Sequence, residues 1–195
     1  GPGFPETVQG LANATDIDAG GYHTCATLNT TRVICWGAND AEQLGNSSLQ
    51  YGEPGGQNGT AGILTGVTQL ALGEDHSCAR LSNGTARCWG EGLGGELGTG
   101  CTTDLSVVPT NAITRITSVQ SVATGNIHSC SLATNGTVSC WGRPALGRLG
   151  YGSALNEAGD SGSSQLFPVS TLLTGPQSGF PASLTITVTD TTGTA

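Results

Sequence analysis

Gly73-Glu74-Asp75-His76-Ser77-Cys78, then Asn83-Gly84, Cys88-Trp89-Gly90 and Leu97-Gly98 follow one another along the middle of the chain. Asn-Gly between two short runs of β-favouring residues marks a hairpin, because a type I′ turn takes positive φ at both central residues. Around such a turn Cys78 and Cys88 fall within one residue of directly opposite. Cross-strand neighbours there have Cβ atoms about 4.5–5.5 Å apart, close to what a disulfide accepts. The stretch therefore predicts a short β-hairpin clipped covalently at its middle.

The same text occurs upstream and downstream. Gly20-Gly21-Tyr22-His23-Thr24-Cys25 leads to Cys35-Trp36-Gly37 and Leu44-Gly45. Gly125-Asn126-Ile127-His128-Ser129-Cys130 leads to Cys140-Trp141-Gly142 and Leu149-Gly150. Successive histidines are 53 and 52 residues apart, and so are the tryptophans. Ahead of each copy, apolar residues recur at matching offsets: Leu11, Ala14 and Ile17; Leu64, Val67 and Leu70; Ile116, Val119 and Val122. A period this regular is the mark of a repeat architecture. Cys25 is expected to pair with Cys35, Cys78 with Cys88 and Cys130 with Cys140. The first copy carries Thr30-Thr31 in place of Asn-Gly, which predicts a different turn there.

Composition narrows the setting. Of 195 residues, 10% are charged and 36% apolar, with 32 Gly and only three each of Phe, Tyr and Trp. Helix-forming surface residues are too scarce for a bundle, and no apolar run is long enough for a membrane-spanning helix. A net charge of -8 disfavours a nucleic-acid backbone as partner. Seven Cys in so short a chain suit an oxidising compartment. Six N-x-Ser/Thr sequons, at Asn13, Asn29, Asn46, Asn58, Asn83 and Asn135, point the same way. The chain contains no Met, which predicts that a leader has been removed or that the sequence is a piece of a longer polypeptide. The expectation is an extracellular or cell-surface glycoprotein.

Chemistry is harder to find. His-x-Cys with a second Cys ten residues on supplies three ligand types per copy but not zinc-finger spacing, so no metal is expected. A residue repeated three times is structural rather than catalytic, and His23, His76 and His128, with Trp36, Trp89 and Trp141, are assigned that role. The histidines are expected to brace backbone groups beneath the adjoining strand. Gly90-Glu91-Gly92-Leu93-Gly94-Gly95 matches a dinucleotide-binding string but lacks the strand and helix that would make it one. Gly159-Asp160-Ser161-Gly162 has no base to serve it. Asp16 with Asp18, and Glu74 with Asp75, read as solvated surface. No catalytic residue and no cofactor is expected.

The recurrence of Gly-x-x-His-[Ser/Thr]-Cys, a hairpin, Cys-Trp-Gly and Leu-Gly resembles the RCC1 repeat, the regulator of chromosome condensation repeat. The resemblance covers about residues 9–168, and the paired cysteines resemble its secreted branch. The family's Gly-Gln-Leu-Gly stands here as Glu42-Gln43-Leu44-Gly45, Gly95-Glu96-Leu97-Gly98 and Gly147-Arg148-Leu149-Gly150. The resemblance implies an all-β fold of four-stranded propeller blades, one per repeat, over residues 1–175 (repeats about 9–61, 62–113 and 114–168). Three blades do not close a ring, so an incomplete ring or part of a larger propeller is expected.

Residues 176–195 form a separate segment in which Leu184, Ile186 and Val188 alternate with Thr185, Thr187 and Thr189. This predicts a strand that closes the last blade, completes a neighbour's sheet or opens a further domain. Cys101 has no partner in the repeat pattern, which suggests an intermolecular bond or a quietly buried thiol. The expected function is a non-catalytic structural or interaction module of a surface or filament assembly. Its partners would be other chains, further blades of the same polypeptide or copies of itself, with N-linked glycans attached. A secreted inhibitor or adhesin-like propeller acting through one face of a closed ring is the alternative, and a small-GTPase exchange factor the third reading.

Overall fold

A computed structural model describes residues 6–28, 32–46, 51–52, 64–100, 105–106, 112–113, 115–150 and 165–170. Within them lie three four-stranded antiparallel sheets, one per repeat. β1 Ala14–Ala19, β2 His23–Leu28, β3 Val33–Ala38 and β4 Tyr51–Gly52 make the first blade. β5 Val67–Leu72, β6 His76–Leu81, β7 Ala86–Glu91 and β8 Leu105–Ser106 make the second. β9 Val119–Thr124, β10 His128–Ala133, β11 Val138–Gly142 and β12 Gln165–Ser170 make the third. The fold is all-β, and the three blades form an arc rather than a ring.

Each hairpin register follows from its turn. Leu81 N donates to Thr85 O at 2.8 Å and Gly84 N to Leu81 O at 3.0 Å. Gly84 and Gly136 take φ of 77° and 83°, while Asn83 and Asn135 do not have positive φ. The connection is thus a three-residue loop with a left-handed Gly, not the two-residue type I′ turn that Asn-Gly predicts. The extra loop residue brings the cysteines directly opposite: Cys78 faces Cys88 and Cys130 faces Cys140. The first hairpin has the same register, Cys25 facing Cys35, although Thr30-Thr31 themselves lie outside the described residues. All three pairs are disulfides, with Cα atoms 4.1 Å apart.

The blades pack face to face, and the cores lie between them. The first core joins Cys25, Val33, Cys35 and Leu44 of one blade to Leu64, Val67, Leu70 and Trp89 of the next. The second joins Ala86, Cys88 and Leu97 to Ile113, Val119, Val122 and Trp141. Leucine makes up much of the first core, and alanine, cysteine, valine and isoleucine much of the second, with one tryptophan sealed in each. The first disulfide lies in the first core and the second in the second.

The fourth strand of the third blade is β12, paired with β11, and the strand expected around 184–188 lies outside the described residues. One expectation is revised. Asp16 and Asp18 are not idle surface. Their carboxylates accept the backbone N–H of Leu70 at 2.9 Å and of Leu72 at 2.7 Å, so β1 holds the inner strand of the next blade. Gln69 does the same for β9, accepting from Val122 N and donating to Val122 O, both at 3.0 Å.

Candidate functional site

Every Gly-x-x-His turn places its histidine at the start of the second strand, opposite the glycine of Cys-Trp-Gly: His23 pairs with Gly37, His76 with Gly90 and His128 with Gly142. Those glycines have φ of 107°, 97° and 108°, and a Cβ on Gly90 would press on the Asp75 carbonyl oxygen at 2.6 Å. Only glycine fits a left-handed backbone so close to another chain segment. The turn glycine is demanded differently. The imidazole of His76 lies against Gly73, where any Cβ would overlap the ring.

From that seat the histidine reaches the next blade. His23 Nε2 lies 2.7 Å from Ser77 Oγ. Ser77 Oγ donates to Gln43 O at 2.9 Å, and Trp89 Nε1 donates to the same carbonyl at 2.9 Å. One blade later the set repeats. His76 Nε2 is 2.9 Å from Ser129 Oγ, which donates to Glu96 O at 3.1 Å, while Trp141 Nε1 donates there at 2.7 Å. Each blade thus contributes a histidine and a carbonyl from its x-Leu-Gly loop, and the following blade a hydroxyl and an indole.

The direction of these bonds assigns the tautomer. The serine proton is committed to the carbonyl, so the hydroxyl oxygen accepts from Nε2–H and leaves Nδ1 as a bare lone pair. His23 Nδ1 is buried with no partner, as a neutral ring permits. Burial pushes His23 down to about 4, and burial together with its neighbours His23 and His128 pushes His76 down to about 3. These rings are fixed neutral hydrogen-bond donors. Where backbone groups beneath the adjoining strand are the expected partners, His23 and His76 instead meet a hydroxyl across the blade boundary.

Glu96 takes the place that Gln43 holds one blade earlier. Its side chain is buried, which raises its carboxyl above the usual range. Oε2 accepts from Gly94 N at 2.8 Å, and Arg143 Nε stands 3.7 Å from Oε1. Among the described residues no three His, Cys, Asp or Glu side chains gather where they could hold a metal. At the axis the turns line a shallow mouth of mainly backbone, with Gly21 N bonded to Gly73 O and Glu74 N to Asn126 O.

The remaining site residues divide by rim. Asn13, Asn83 and Asn135 are exposed on the rim opposite the histidine turns, and Asn46 is half-buried near the Leu44 loop. Asn29, Asn58 and Cys101 lie outside the described residues. Reading by sequence missed Ser77, Ser129, Asp16 and Asp18. The first two carried a signal, a hydroxyl after every repeat histidine. The carboxylates carried none, since Gln69 does their work one blade on.

Residues 14–43, 67–95 and 119–148 match the family described as the regulator of chromosome condensation (RCC1) repeat. The chain is 31% identical over 136 residues to human "Probable E3 ubiquitin-protein ligase HERC6", covering 69% of this chain and 13% of that protein. It is 31% identical over 138 residues to the Arabidopsis thaliana "Ultraviolet-B receptor UVR8", covering 70% and 31%. Among solved structures it resembles Prp20p from Saccharomyces cerevisiae, with TM-score 0.68 and 22% identity over 85% of this chain and 40% of that one. Human WBSCR16 matches with TM-score 0.62 and 22% identity, covering 80% and 37%. The chain spans under a third of these curated relatives and about two fifths of the solved chains. Three repeats, three four-stranded blades and the propeller likeness together establish that the chain belongs to the RCC1-repeat family.

Proposed function

We infer that this chain is a non-catalytic, extracellular interaction module, a glycosylated propeller segment that serves a surface or filament assembly. The observation that carries the reading is the run of three RCC1-repeat blades, each clipped by its own disulfide. Protein recognition suits the relatives. One solved yeast RCC1 is bound to Kap60, and Prp20p is described through its binding to Gsp1p and histones. The extracellular setting is supported by one disulfide per blade and six sequons. Asn13, Asn83 and Asn135 share one rim, which would keep glycans away from the histidine and Leu-Gly rim.

Non-reducing peptide mass spectrometry of native material tests the reading. The expected result is three intact pairs, glycans at Asn13, Asn83 and Asn135 and little at half-buried Asn46. Free thiols with bare sequons would sink the extracellular assignment and bring forward the exchange-factor reading, which needs a reducing compartment.

A further inference from the structure

Asn83-Gly84 and Asn135-Gly136 stand at hairpin tips, with both asparagines exposed. Such a pair is chemically reactive as well as a turn signal. The backbone nitrogen that follows an asparagine can attack its side-chain Cγ, and glycine, having no side chain, obstructs that attack least. The new N–Cγ bond closes a succinimide, the Cγ–Nδ2 bond breaks, and the amide proton leaves with Nδ2 as ammonia. Water then opens the ring at either carbonyl, giving aspartate or isoaspartate. In isoaspartate the backbone runs through Cβ and Cγ and is longer by a methylene.

The folded loop withholds the nucleophile. Gly84 N donates to Leu81 O at 3.0 Å and Gly136 N to Ala133 O at 2.9 Å. When either nitrogen gives up its proton, the in-plane electron pair faces a carbonyl oxygen rather than Cγ. Attack therefore waits until the peptide turns and that hydrogen bond breaks. The electrophile is held as well. Asn83 Oδ1 accepts from Thr85 N at 3.0 Å and from Thr85 Oγ1 at 2.7 Å, and Asn135 Oδ1 accepts from Thr137 N at 3.0 Å.

At Asn83 the consequence of conversion reaches the next blade. Gly84 O accepts from Val119 N, the first residue of β9, at 2.8 Å. Ser118 Cα lies 3.5 Å from the place of a Gly84 Cβ, so the loop and the third blade are in contact there. A methylene inserted ahead of Gly84 N carries its carbonyl away from Val119.

We propose that Asn83 and Asn135 are sites of succinimide and isoaspartate formation, released when their loops open, and that isoaspartate at position 83 loosens the second blade from the third. A glycan on Nδ2 would block the reaction, because Nδ2 is the leaving group. Glycosylation and self-modification thus compete for one nitrogen, a point that rests on the extracellular reading.

The test is incubation of the oxidised, glycan-free chain at mildly alkaline pH, folded or unfolded in urea. Peptide mass spectrometry that separates isoaspartate from aspartate gives the readout. Both sites should convert in urea and roughly 10-fold or more slowly in the folded chain. Asn13 and Asn126, followed by Ala14 and Ile127, should stay intact over the same time. Asn83→Gln should abolish conversion at that position. In the fraction carrying isoaspartate 83, hydrogen exchange at Val119 should be roughly 10-fold or more faster. Asn83→Asp, whose carboxylate still accepts from Thr85 on an ordinary backbone, should leave that exchange unchanged.

Conversion equally fast in folded and unfolded chain would overturn the gating, and none in urea would overturn the sites themselves. Unchanged Val119 exchange in the isoaspartate fraction would overturn the effect on the blade junction. A glycosylated Asn83 that still converts would overturn the competition. Native protein with a bare Asn83 counts against the extracellular reading and leaves the chemistry measured on glycan-free chain standing.

Discussion

Ser77 shows how one hydroxyl can hold two blades. It accepts a hydrogen bond from His23 Nε2–H and donates one to the Gln43 carbonyl, so its removal leaves a buried N–H without an acceptor. Ser77→Ala should cost about 1–3 kcal/mol by urea unfolding, and Ser77→Thr, the residue of the first blade, should restore most of it. The neutral rings impose a pH dependence. An unfolded histidine binds its proton near 6.5, whereas folded His23 and His76 resist it down to about 4 and about 3. The unfolded state therefore holds more protons in that window, and stability falls as pH drops from about 6.5 towards 3. The slope should be about 1.4 kcal/mol per pH unit for each histidine titrating in its unfolded form alone. Urea midpoints between pH 3 and 8 will show it, and His76→Gln should flatten it. Asp75 and Glu96, raised by burial, act in the opposite sense within the carboxylate range.

At the scale of the element, two glycines separate two kinds of constraint. Gly136 sits at φ 83° with nothing within 4 Å of a Cβ, so Gly136→Ala should cost only the conformational penalty, about 1 kcal/mol. Gly73 has no positive φ, yet a Cβ there would strike the His76 ring, and Gly73→Ala should cost more and disturb the second latch. Melting curves of the two variants distinguish these costs. The hairpin staples close loops of ten residues, so a Cys78→Ala/Cys88→Ala variant should lose about 3 kcal/mol. Asn83-Gly84 revealed the hairpin but not its loop length. One extra residue decided whether the cysteines face each other, and a dipeptide does not carry that information.

Across the whole molecule, burial depends on which blade a residue occupies rather than on its type. Leu70→Ala should cost about 2–5 kcal/mol because it empties the first interblade core. Ile17→Ala, the same repeat position, should change stability by less than about 0.5 kcal/mol. Denaturation of both variants as dilute monomers provides the comparison. Equal losses would mean that the first blade is already covered.

The repeat, its hairpins and its disulfide partners were written in spacing, because a period of 52 or 53 residues and a ten-residue cysteine gap are local properties of the chain, whereas the propeller architecture came through the resemblance to the RCC1 repeat. Partners across the blade boundaries were not. His23 and Ser77 stand 54 residues apart, and Asp16 finds Leu70 at the same separation. Only stacking sets such pairs beside each other. Packing also made Leu70 a core residue and Ile17 a surface one, since identical positions in a repeat differ in burial wherever a neighbouring blade is present on one side and missing on the other.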